Sequence, residues 1–99
     1  MSKYARKVDS NHAEIRDAMR AYGAYVFDAS ATGRGFVDLV VGYAGHTALV
    51  EIKSPKGKFT EAQLNFIENW KGGILARIED VDGAIRLLKT MEKLSLIHI

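Results

Sequence analysis

The sequence predicts one α/β domain with the element order α-β-β-β-α-β-α, a mixed sheet flanked by helices. Three observations carry that expectation. Three segments repeat apolar residues at helical spacing, separated by short runs rich in β-branched and aromatic types. Two neighbouring runs, residues 36–43 and 47–53, are almost continuously apolar, as strands covered on both faces are. Ninety-nine residues suffice for a single core, so residues 1–99 are read as one domain.

Residues 11–22 form the first expected helix, with Ile15, Ala18, Met19 and Tyr22 on one face and Gly23 at its end. Asn11 and Glu14 have the spacing of a capping box. Residues 24–29 read as the first strand, followed by a glycine-containing turn over 30–35. Strands over 36–43 and 47–53 meet at Ala44-Gly45, a tight hairpin turn. A basic loop over 54–58 leads to Thr60, which caps a helix through Trp70 with Gln63 as its reciprocal partner and Leu64 and Ile67 facing the core. Residues 74–78 make the last strand. Asp80 then caps a helix whose Val81, Ala84, Ile85, Leu88 and Met91 share a face. Residues 95–99, apolar apart from Ser95 and His98, read as a tail that docks on the sheet or meets a partner.

Composition narrows the function classes. The chain has no cysteine, which excludes disulfides and thiolate zinc sites and leaves the reducing cytosol as the default compartment. No stretch reaches the ~18–20 apolar residues of a membrane span. The net charge of +2 is too small to argue for nucleic acid alone, although Lys3, Arg6 and Lys7 cluster near the start and Lys53, Lys56 and Lys58 in the middle. His12, His46 and His98 lack ligand spacing, and Tyr22, Tyr25, Phe27, Phe36, Tyr43 and Trp70 read as core or interface residues.

The informative residues are three charges inside the two most apolar strands: Asp38, Glu51 and Lys53. Buried charges cost several kcal/mol each unless paired or bound to a metal. A hairpin centred between Ala44 and Gly45 pairs residues whose numbers sum to 89, which sets Asp38 opposite Glu51. Lys53 falls on the same face as Glu51. Two carboxylates ~5 Å apart at Cβ repel unless one is protonated or a cation lies between them. Mg²⁺ or Mn²⁺ suits such a pair, with the Ile52 carbonyl as a further ligand. The competing reading is a buried ion pair that fixes strand register. One positive charge among three leaves that reading incomplete.

The pattern Gly35-Phe-Val-Asp38 followed by Glu51-Ile-Lys53 resembles the signature of the PD-(D/E)xK nucleases, and more narrowly that of VRR-NUC (virus-type replication-repair nuclease) domains. The likeness runs from Glu14 to Asp80-Val81 and includes Gly23, Lys58, Thr60, Gln63 and Gly73. It implies a restriction-endonuclease-like fold and a divalent-metal-dependent DNA endonuclease. On that resemblance Asp38, Glu51, the Ile52 carbonyl and Glu14 hold the ion, while Lys53 orients or deprotonates the water or stabilises the transition state. Spacing alone leaves Glu14 equally readable as a cap or a solvated residue. Gln63 caps its helix and is also placed to touch the water or a phosphate. Arg34, Lys56 and Lys58 are candidate phosphate contacts, with solvated loops as the alternative, and Asp28 a candidate supporting residue. Small members of the family resemble Holliday-junction resolvases, many of them from phages or prophages. That implies a homodimer acting on branched DNA. The alternatives are a nicking or RNA-cleaving relative, a non-catalytic nucleic-acid-binding module, or a protein that binds metal only structurally.

Overall fold

In the computed structural model, residues 11–97 are described, and the early basic cluster Lys3, Arg6 and Lys7 lies outside them. The elements are α1 (His12–Tyr22), β1 (Tyr25–Asp28), β2 (Leu39–Tyr43), β3 (His46–Ile52), α2 (Glu61–Asn69), β4 (Ile74–Ile78) and α3 (Val81–Ile97). They form an α/β fold with a four-stranded mixed sheet in the order β1-β2-β3-β4. The first two pairings are antiparallel. β4 runs parallel to β3, with α2 as the crossover. No helix among the described residues is long and apolar enough to cross a membrane.

The hairpin register is the one the turn dictates. Tyr43 pairs with His46, and each step back continues that count to Leu39 opposite Val50. Ala44 and Gly45 both take positive φ, as the tight turn requires. The inner face of the sheet offers Val26, Leu39, Val41, Ala48, Val50 and Ile52 to Ile15 and Met19 of α1 and to Ala84, Leu88 and Met91 of α3. These side chains are almost wholly removed from water, and their burial is the main source of stability. α2 lies against the opposite face, where Phe66 and Ile67 meet Leu75 across a pocket.

Four expectations are corrected. Asn11 makes no side-chain cap; its amide donates to the Glu79 carbonyl at 2.6 Å, a tertiary acceptor that replaces the local box. Leu64 is 52% exposed, because Gln63, Phe66 and Ile67 form the face of α2 that meets the sheet. Residues 36–38 are not strand: β2 begins only at Leu39. Finally, residues 95–97 are no separate tail but the last turn of α3, where the Ser95 hydroxyl donates to the Ala44 carbonyl; His98 and Ile99 lie outside the described residues. Of the aromatic residues read as core or interface, Tyr25 and Phe27 lie on the outer face of edge strand β1, 76% and 57% exposed, which leaves them the interface alternative.

Candidate active site

Asp38 stands where β2 starts, and its backbone departs from the ladder. Its amide donates to the carbonyl of Val50, the residue already paired with Leu39, so two residues face one as in a β-bulge. The displaced side chain takes over the missing ladder contact: Asp38 Oδ2 accepts from the Ile52 amide at 2.8 Å. On the other side the Asp38 carbonyl accepts from the Ala29 amide at 2.8 Å. Backbone bonds to both neighbouring strands thus hold this carboxylate against residues 51 and 52. It is 5% exposed.

Glu51 sits on the penultimate position of β3, equally buried. Its Oε1 accepts from Gln63 Nε2 at 3.1 Å. Gln63 is fixed in turn by the Thr60 capping box, its Oε1 accepting from the Thr60 amide and its own amide donating to the Thr60 hydroxyl. The cap that starts α2 and the residue that orients Glu51 are therefore one side chain, and the capping role expected of Gln63 is the one the structure shows. Lys53, half-buried, donates its amide to the Ile78 carbonyl at 3.1 Å, and its ammonium lies 5.9 Å from the centre of the Phe59 ring.

The loop that leads into Asp38 is shaped by glycine. Gly33, Arg34 and Gly35 all have positive φ (69°, 57° and 83°), a run that costs a non-glycine residue about 1–2 kcal/mol per position. Gly35 has a second reason to be glycine: a Cβ there would stand 2.5 Å from the Ala62 carbonyl oxygen. The loop therefore packs directly on the first turn of α2. Phe36 continues the contact edge-on to Phe66, which stacks on Trp70.

Sequence reasoning missed Arg77. It pairs with Glu51 in the β3–β4 register, and its Nη2 donates to the carbonyls of Ser54 (3.1 Å) and Gly57 (2.8 Å). Its Nε meets Glu79 at 3.1 Å, and its guanidinium carbon lies 5.2 Å from the Phe59 ring centre. Arg77 thus ties the basic loop to the sheet. Only its strand position hinted at this, since the partners lie 20 and 23 residues away.

Other predicted residues are less engaged. Arg34, Lys56 and Lys58 are exposed, available to solvent-borne phosphate. Glu14 is exposed in the first turn of α1, and among the described residues no three His, Asp or Glu side chains converge as an ion-holding group. Asp38 falls outside the ladder that would have set it directly opposite Glu51, and its carboxylate is held on the amide of the next residue, Ile52. His12 is buried instead, its Nε2 4.0 Å from Asp28 Oδ1. Partial burial pushes the Asp28 carboxyl up, but hydrogen bonds from the Ser30 hydroxyl and amide, with His12 and Arg16, outweigh it and hold the group below the usual range.

Two buried carboxylates at one end of a sheet, each oriented by a neutral donor, offer the hard oxygens that suit Mg²⁺ or Mn²⁺. No family model, curated protein or solved structure matches the chain.

Proposed function

We propose that the protein is a divalent-metal-dependent endonuclease that hydrolyses DNA phosphodiester bonds, with the restriction-endonuclease-like fold and the VRR-NUC likeness of its sequence. The observation that carries this reading is the pair of buried carboxylates, Asp38 and Glu51, with Lys53 two residues further along the same strand end. A chain that needed only a stable sheet gains by replacing such charges with apolar residues.

Asp38, Glu51 and the Ile52 carbonyl would hold the Mg²⁺ or Mn²⁺ ion. When bound, that ion supplies an acidified water and neutralises charge on the phosphate. Gln63 keeps the Glu51 carboxylate in one rotamer. Lys53 presents a positive charge beside the site, where it orients the attacking water or stabilises the charge that builds up on phosphate. Arg34, Lys56 and Lys58 contact flanking phosphates. Glu14, exposed on α1, would stand at the family's helical ligand position.

The substrate is branched DNA, such as a Holliday junction, and the acting species a homodimer in the cytoplasm. The exposed Tyr25 and Phe27 on edge strand β1 support self-association about a two-fold axis. One panel tests the proposal: four-way junction, flap, duplex and single-stranded DNA with Mg²⁺, Mn²⁺ or EDTA, comparing wild type with Asp38→Ala and Lys53→Ala. Junction cleavage that needs the metal and both residues is expected. Cleavage that survives EDTA or either substitution overturns the assignment. A monomer that cuts plain single strands equally well removes the junction specificity.

A further inference from the structure

Beside Glu51, between α2 and the outer face of β3 and β4, lies a pocket of about 170 Å³. Protein interiors are packed at crystal density and leave few spaces of this size. Its apolar walls are Phe59, Phe66, Ile67 and Leu75, and its polar side is Glu51, Gln63 and Arg77. An apolar cavity of ~150 Å³ takes a benzene ring, so the space matches one six-membered ring.

The polar side offers hydrogen-bond donors. Gln63 uses its carbonyl on Thr60 and one amide hydrogen on Glu51, which leaves the second amide hydrogen. Arg77 engages Nε and Nη2, and Nη1 makes no bond among the described residues. With the Glu51 carboxyl oxygens on the same side, the ring that fits carries both a carbonyl acceptor and an N–H donor. The surroundings are cationic: Lys53 and Arg77 both lie by the Phe59 ring, and Lys56 and Lys58 follow on the exposed loop. Such charge complements the phosphates of a strand that delivers the ring.

We propose that this pocket seats an unpaired pyrimidine base of the strand whose phosphate lies at Asp38 and Glu51. The inference rests on the nuclease reading, and it gives that reading a substrate preference. A base already unpaired costs least to seat, so branched or single-stranded positions are favoured over intact duplex, with thymine or cytosine beside the cut.

The test is fluorescence-anisotropy binding in EDTA, using labelled oligo-dT, oligo-dA and an abasic oligomer, each of about 12 nucleotides. Oligo-dT is expected to bind about tenfold more tightly than the abasic strand, as one stacked base allows, with oligo-dA near the abasic level. Leu75→Phe, which fills the pocket, reduces oligo-dT binding to the abasic level and leaves abasic binding unchanged. Ile67→Phe is the second filling variant, and circular dichroism selects whichever folds. Equal binding of oligo-dT and the abasic strand, no binding at all, or an oligo-dT preference that survives pocket filling overturns the proposal. Cleavage with Mg²⁺ is scored separately. A wild type that cuts DNA without a pyrimidine preference keeps the nuclease and loses the pocket. A preference lost on pocket filling but without cleavage keeps the pocket and loses the nuclease.

Discussion

Replacing Gly35 by alanine tests how the loop before Asp38 is held. The structure supplies its own control at Gly33, which has φ +69° and nothing within 4 Å of a built Cβ, whereas Gly35 has φ +83° and the Ala62 carbonyl oxygen at 2.5 Å. Gly33→Ala therefore carries only the left-handed backbone cost, about 1–2 kcal/mol. Gly35→Ala carries the same cost plus that of moving a backbone group aside, about 1–3 kcal/mol more, for a total of roughly 2–5 kcal/mol. For a domain of this size 1 kcal/mol corresponds to roughly 4–8 °C in Tm. At about 1.5 and 3.5 kcal/mol the losses are roughly 6–12 °C for Gly33→Ala and 14–28 °C for Gly35→Ala. Thermal unfolding followed by circular dichroism reads both. The displaced atoms belong to the first turn of α2, which carries Gln63, so Gly35→Ala also loosens the hydrogen bond to Glu51. Equal Tm values for the two variants refute the direct packing of loop on helix.

Two further outcomes follow from the same geometry. Arg77→Met removes the hydrogen bonds to Ser54, Gly57 and Glu79 while keeping much of the side-chain volume; we expect a loss of about 1–2 kcal/mol, since the guanidinium is partly exposed, and, on the proposed nuclease function, cleavage weakened through KM more than kcat. A denaturant melt and steady-state kinetics check both, and an unchanged KM contradicts the loop-anchoring role. The hydrogen bond to Glu92, then burial, then the charges of Glu92 and Tyr22 push the Tyr43 phenol up to about 12. Because the folded protein holds this proton more tightly than an unfolded tyrosine of pKa ≈ 10, the associated stabilisation is complete below about pH 10 and is lost as pH rises through 12. Ultraviolet titration of wild type and Glu92→Gln reads it, and a phenol that titrates alike in both contradicts the contact.

Much of this arrangement was legible because it is local. The Ala44-Gly45 turn fixes the β2–β3 register through hydrogen-bond geometry alone, and the Thr60–Gln63 box is contained within four residues. What escaped is set by distance and competition. Asn11 has the spacing of a cap, but the Glu79 carbonyl, 68 residues away, claims its amide. Leu64 and Phe66 are both apolar, and only the position of the sheet decides which turns inward. The apolar run over 36–43 hid the bulge at Asp38, because nothing in a hydrophobic pattern marks an amide that bonds one residue out of step. Arg77 stands among apolar residues in β4, and its carbonyl partners are backbone atoms that leave no mark in sequence. Charges in apolar runs marked the candidate site, whereas the framework that holds them is visible only in three dimensions.

On the proposed function, Asp38 and Glu51 jointly hold a divalent ion. Isothermal titration of Mn²⁺ into wild type, Asp38→Asn and Glu51→Gln tests it most directly, with folding checked by circular dichroism. Saturable binding to wild type is expected, abolished by both substitutions or weakened at least about tenfold, the scale on which loss even of a group that only supports a metal ligand is felt. A wild type that binds no Mn²⁺, or variants that bind it as tightly as wild type, would contradict it.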